Sequence, residues 1–476
     1  MTKPRQIATE NKMGSMPENR LLLSMSVPMM ISMLMQALYN IVDSMFVSRI
    51  SEDALTAVSL TFPIQTLMIA VGVGTGIGIN ALLSRSLGEK DGDTANKAAN
   101  VGVFVTLASS IPFMLLGLFF SRTFFALQVE SEAIIAYGYD YMFYICVFSF
   151  GLFGQLVFAR LLQSTGKTMH SMLVQLVGVA LNIILNPLLI FGLYGFPELG
   201  IAGSAIATVI GQAVAMGLSI ILNITHNKEI RLSLREMKPD LIIMKQIYAV
   251  GLPSILLQTA ASVMAFGVNQ ILLTFTETAA AVFGAYVKIQ GFFFMPVFGL
   301  NNGIVPIVAY NYGAKKPERI MKTTKLSMIY AISILTVGFL VFQLMPQQLL
   351  YLFDASDDML EIGVIALRII SPCFPIAAFV IVTSSVLQAL GRGFLSMMIS
   401  LLRLLVFLLP IAWLLSLTGI LNLVWLSFPI AEVFAAIYSA HCLRRVYKEI
   451  ILPLRQTVMM TASDLLQESD NKGAAE

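Results

Sequence analysis

Twelve long apolar runs, parted by short polar breaks, leave this 476-residue chain very little choice of fold. They lie at about 21–48, 54–82, 98–121, 133–162, 171–195, 199–223, 242–274, 279–309, 323–345, 360–388, 395–418 and 421–442. A bilayer crossing takes about 20 apolar residues. Inside hydrocarbon every backbone N–H and C=O must be satisfied within its own segment, so such runs are helices. Several exceed the minimum, which implies tilt or protrusion. Composition agrees, with 57% apolar and 12% charged residues, the latter about half the share of a soluble domain. Disorder, a secreted disulfide scaffold and an ordinary soluble enzyme are thereby excluded.

Charge in the breaks gives the orientation. With the N-terminus cytoplasmic, 26 of the 30 Lys and Arg residues fall on the inner side, Arg160 and Arg403 counted among them. Only Arg49 and Arg122 fall outside, while Lys288 and Arg368 lie within spans. This is the positive-inside pattern, and it places both termini in the cytoplasm. The first run is too long for a signal-peptide core and is read as a retained span.

The net charge of +3 is too small for a nucleic-acid partner. Cys146, Cys373 and Cys442 lie far apart, and His170, His226 and His441 sit near span ends as interfacial side chains, so neither a zinc site nor a disulfide framework is signalled. No Ser-His-Asp set, HExxH or carboxylate pair can be assembled, so no catalytic activity is expected.

A second pattern is internal. At a constant separation of 225 residues, Pro28 matches Pro253, Ile64-Gln65 matches Ile289-Gln290, and Gly74, Gly78 and Gly88 match Gly299, Gly303 and Gly313. Leu162-Gln163 with Gly166 matches Leu387-Gln388 with Gly391. Six spans separate the copies, an even number, so both point the same way about an axis along the membrane normal. The expected organisation is an N-terminal segment (1–20), an N-lobe (21–224), a charged linker (225–240), a C-lobe (241–445) and a polar C-terminal tail (446–476). That tail is read as frayed after Pro453, with a short helix over Thr461–Gln467 as an option.

Ionisable groups inside spans are expensive and therefore informative. Asp43 has the richest surroundings, because Gln36, Asn40 and Asp43 follow i, i+4, i+7 on span 1. Two readings stand: a structural hydrogen-bond acceptor, or a titratable carboxylate that exchanges a proton or an ion for a substrate. Gln175, Asn182 and Asn186 form a stripe on span 5, with Pro187 next in sequence. For these asparagines helix–helix adhesion competes with a functional role. Gln258 and Asn269 mark span 7, and Lys288, Gln290 and Asn301 mark span 8. Lys288 and Glu432 are each either a fixed partner of another helix or a pathway residue. Gly72, Gly74, Gly76 and Gly78 read as small-residue helix packing, since GxxxxGK[ST] is absent.

Tyr39-Asn40-Ile-Val-Asp43-Ser-Met-Phe-Val, with Pro28 early in span 1, resembles the multidrug and toxic compound extrusion (MATE) family. So do Leu181-Asn182-Ile-Ile-Leu-Asn186-Pro187, Gly200-Ile-Ala-Gly203-Ser-Ala-Ile-Ala-Thr208, and Phe292 through Gly303. The resemblance covers roughly residues 15–450. It implies an all-α membrane protein of twelve helices in two six-helix bundles around a V-shaped cavity. It also implies export of cationic or amphipathic organic molecules by alternating access, driven by H+ or Na+ across a bacterial inner membrane. No cofactor, and no metal beyond Na+ at Asp43, is implied; the partners are the substrate and membrane lipid, and the chain is expected to be a monomer. The span 1 aspartate points to the DinF-type branch. By motif position Asp43 becomes the coupling carboxylate and Asn182 its polar partner, with Gln36, Tyr141 and Thr208 placed more loosely. Asn186 stands where that branch usually has an aspartate. The alternative is a lipid-linked precursor flippase of the same superfamily, for which Lys288 and Arg368 are the in-span basic residues.

Overall fold

The computed structural model describes residues 11–353 and 355–460, so Thr461–Gln467 lies outside the described residues. Among the described residues, eleven helices are long and apolar enough to cross a membrane. They are span 1 (Glu18–Ser48), span 2 (Glu52–Gly88), span 3 (Gly92–Phe119), span 5 (Thr168–Phe191), span 6 (Gly200–His226), span 7 (Leu241–Leu273), span 8 (Glu277–Gly313), span 9 (Pro317–Leu344), span 10 (Asp357–Ala389), span 11 (Gly393–Ser416) and span 12 (Leu421–Met460). Span 4 is a pair, Glu132–Val147 and Phe150–Ser164, bent by 43°. Each apolar run thus became one crossing. Span 12 corrects the expectation of a frayed tail, because the helix continues through Pro453 to Met460. A π-helical turn at Tyr447–Ile451 precedes the proline. It widens the hydrogen-bond register where the proline ring would otherwise clash.

The duplication is visible in detail at the same 225-residue separation. Ser51 caps span 2 by accepting from the Ala54 N–H, and Thr276 caps span 8 by accepting from Ala279. Ser131 and Ser356 do the same for spans 4 and 10. The bend of span 4 corresponds to a 3-10 turn, Ser371–Cys373, in span 10. Lys90 and Lys315 share a left-handed φ near +55°, at 59° and 54°. Gln163 donates to Ser171 at 2.9 Å, and Gln388 to Ser396 at 3.0 Å. The protein is two like six-helix halves. Asp91 opens span 3 instead of pairing with a like residue; the bonds from Thr94 hold its carboxyl below the usual carboxylate range.

Glycines set where the halves meet. A Cβ on Gly74 would strike Ile255, and one on Gly299 would strike Met30. Gly78 faces Gly251 as Gly303 faces Ser26; Gly88 faces Tyr310 as Gly313 faces Arg85. Every pair is related by 225 residues, so a pseudo-two-fold axis passes through a seam of backbone-to-backbone contact. Small residues permit this approach, and dispersion supplies the adhesion. The seam lies at one end of the bundle, here termed the base. That end also carries the N-terminal segment, whose Met13 and Met16 carbonyls accept from Asn311 and Arg319. The connection after span 6 is tied there too, through Asn96 and Asn100 to the backbone of Arg231 and Ser233.

Beyond the seam the halves part. In the far portion of span 1, Phe46 packs on Phe191, and Asp43 and Tyr39 bond to spans 5 and 6, all within one half. In span 8, Phe283, Tyr286 and Phe294 pack on Phe428 and Phe374 of their own half. The result is a V with its apex at the base.

Candidate functional site

Span 1 turns Asp43 into its own half, where the side chain is 9% exposed. Its Oδ1 accepts from Asn186 Nδ2 at 2.7 Å and from Ser204 Oγ at 3.2 Å. The same Asn186 amide donates to Asn182 Oδ1 at 3.1 Å, and Asn182 Nδ2 donates to Thr208 Oγ1 at 2.9 Å. The Tyr39 hydroxyl closes the chain at 3.3 Å from Thr208 Oγ1. Spans 1, 5 and 6 are thereby stitched by one polar network. Asn182 and Asn186 share a face at i, i+4, and Pro187 removes the helical donor for the carbonyl four residues back. No cation pairs with Asp43 among the described residues. Asn186 Oδ1 is enclosed and has no donor partner among the described residues. A carboxylate beside an orphaned amide oxygen is an acceptor-rich pocket. A proton or a hard cation satisfies such a pocket, and oxygen ligands suit it.

The other expected residues divide. Tyr141 is buried and accepts from Gln65 at 3.0 Å. Gln175 accepts from Gln155 at 3.0 Å, deeper in the same half. Gln36 is half-buried and makes no side-chain hydrogen bond among the described residues, and Asn40 is exposed. On span 1 the network therefore takes Tyr39 and Asp43, and the Tyr39 hydroxyl is a polar group that counting the ring as merely apolar had passed over. Ser204 was also missed, although it stands at i, i+4 with Thr208. Gln258, Asn269, Lys288, Gln290 and Asn301 stay in the other half, and none bonds to the Asp43 network. Lys288 is exposed, its Nζ 5.9 Å from the Phe353 ring centre. Asn301 is half-buried, with an enclosed Oδ1 that lacks a partner among the described residues.

Two basic residues assigned to the inner loops belong inside the bundle. Arg160 is 6% exposed. Arg403 lies in a π-helical stretch of span 11, Leu402–Leu408, and pairs with the buried Glu432 at 3.3 Å. In this structure Glu432 is the ion-pair partner of a residue on another helix. Breaking one side of a buried pair leaves a bare charge, at a cost of about 3–5 kcal/mol. Glu432→Gln is therefore expected to lower Tm in detergent more than the double variant Arg403→Met/Glu432→Leu. Equal or reversed shifts would show that the pair holds nothing.

Two like helical bundles joined at a base, with a buried polar site at the level where they part, have the architecture of a membrane transporter. The MatE family model matches residues 28–188 and 253–414, one match in each half. The chain belongs to the MatE family. It is 27% identical to the FAD transporter of Shewanella oneidensis, over 92% of this chain and 96% of that one. It is 28% identical to the multidrug export protein MepA of Staphylococcus haemolyticus, over 88% and 92%. Among solved structures, an outward-facing multidrug resistance MATE transporter superposes with a TM-score of 0.87 at 25% identity, covering 95% of this chain and all of that one. These relatives are transporters, not enzymes.

Proposed function

We propose that this transporter is a cation-coupled antiporter that exports organic, cationic or amphipathic molecules across a bacterial inner membrane, with the base and both termini cytoplasmic. Asp43 carries the coupling ion. The observation behind this reading is a buried carboxylate held by two neutral donors, with no cationic partner among the described residues and an orphaned acceptor, Asn186 Oδ1, beside it. A charge so placed is costly until a proton or Na+ joins it. Ion binding that favours one conformation over the other is what alternating access requires. Asn182 and Asn186 orient the carboxylate, and Thr208, Tyr39 and Tyr141 complete its surroundings. The base carries the clustered Lys and Arg residues, which supports its cytoplasmic placement.

The N-lobe carries coupling and the cleft carries substrate, so Gln36, Asn40, Gln258, Asn269, Gln290 and Asn301 are candidates for its lining. The flippase alternative calls for basic residues deep in the cleft, and its two candidates, Lys288 and Arg368, are both exposed. The relatives include a multidrug exporter and a FAD transporter, so a test panel pairs a cationic dye with an anionic dinucleotide. Proteoliposomes are given a pH gradient or a Na+ gradient separately. Efflux driven by one gradient and collapsed by its ionophore is the expected result. Efflux indifferent to both would refute coupling. Asn186→Asp restores a second carboxylate, and the expected result is a midpoint of the ion dependence displaced by at least about ten-fold, which corresponds to 1.4 kcal/mol of altered ion affinity. An unmoved midpoint would remove Asn186 from the ion site.

A further inference from the structure

Ser171, Gln175, Asn182 and Asn186 occupy one face of span 5. Each is met by a polar partner: Gln163 donates to Ser171 at 2.9 Å, Gln155 to Gln175 at 3.0 Å, and Asn186 itself donates to Asp43 at 2.7 Å. Fifteen helical residues separate Ser171 from Asn186, about 22 Å at ~1.5 Å per residue. The interior of this half is therefore polar in steps from Asp43 toward the base. A cation that reaches Asp43 has polar groups on which to continue, and passage through them would dissipate the gradient without moving substrate.

Arg160 stands at the basal end of that file. Its Nη1 donates to Gln163 Oε1 and to Asn302 Oδ1 of the opposite half, both at 2.9 Å. It pairs with no carboxylate among the described residues. Its stem lies over Gly76, where a Cβ would come within 2.7 Å of the arginine Cγ. The second half serves as an internal comparison. It keeps the glutamine–serine bond, Gln388 to Ser396. At the position of Arg160 it has Ser385, and at those of Asp43, Asn182 and Asn186 it has Val268, Phe407 and Ile411. The half with no acid at the Asp43 position also has no arginine at the Arg160 position, and its own Arg403 is paired with Glu432.

We infer that Arg160 is an electrostatic seal that stops the coupling cation from crossing the N-terminal half to the base. A fixed guanidinium in a low-dielectric interior repels hydronium and Na+ alike. Asn302 holds its head group in place while the halves are closed at the base. The inference rests on Asp43 as the ion site. It is tested on the full chain in proteoliposomes with no organic substrate, by following internal pH under a pH gradient and internal Na+ under a Na+ gradient. Arg160→Gln is expected to raise substrate-independent flux at least about ten-fold, and Arg160→Lys, which keeps the charge, to stay within about two-fold of the parent. Arg160→Met carries the same expectation as the glutamine variant if the latter does not reconstitute. Flux in the neutral variants equal to the parent would overturn the seal, as would a lysine variant as leaky as the glutamine one. Failure of the Asp43 reading shows separately, as full substrate transport by Asp43→Asn.

Discussion

Asp43→Asn is expected to reduce ion-driven efflux of a cationic dye to the level of empty liposomes, while the purified protein keeps its fold and still binds dye. The substitution is nearly isosteric. The new amide oxygen can still accept from Asn186 and Ser204, the two donors that hold the carboxylate. Each neutral hydrogen bond contributes about 0.5–1.5 kcal/mol, so the loss of stability should stay within that range. What disappears is the negative charge, and with it any difference between an ion-loaded and an ion-free state. A ligand that no longer distinguishes two conformations cannot drive their exchange. Tm and dye binding near the parent values, together with background transport, are the expected combination. Full transport would sink the coupling role of Asp43, and joint loss of Tm and transport would make it a structural acceptor.

Gly78→Leu is expected to do the opposite, removing stability and transport together. Gly78 sits against the Ile247 carbonyl and the Gly251 amide across the seam, so any side chain there must push two backbones apart. Overpacking of this kind costs about 1–3 kcal/mol where flexible side chains absorb it, and here the obstacle is main chain. Gly284→Leu in span 8 is the control, because no neighbour among the described residues lies within 4 Å of a Cβ at that position. The comparison is read as Tm in detergent and as dye efflux. A Gly78→Leu protein as stable as the Gly284→Leu protein would show that the halves do not depend on close approach at this glycine.

The sequence carried much of the fold because the bilayer simplifies the problem. Hydrocarbon admits only helices from long apolar runs, so twelve runs meant twelve crossings, and their ends differed from the expected ones by only a few residues through most of the chain. The duplication was equally legible, since an unbroken 225-residue register is a property of the chain itself. It reappears as paired caps, paired left-handed residues and paired glycine contacts. Asp43 stood out for a related reason: a lone acid in an apolar span is expensive wherever it points.

Helical spacing alone shows which residues share a face, but not what that face meets. Asn40 and Tyr39 lie side by side in the chain; contact with Thr208 on span 6 selects the tyrosine. Arg160 and Arg403 counted as loop charges until packing enclosed them, one against Asn302 of the opposite half and the other against Glu432. Chain order by itself determined the helices, their number and their repeat, because those depend on local hydrogen bonding and on transfer from water. Only the tertiary structure decided which polar groups meet, since a hydrogen bond between spans requires two helices far apart in sequence to present their side chains at the same depth.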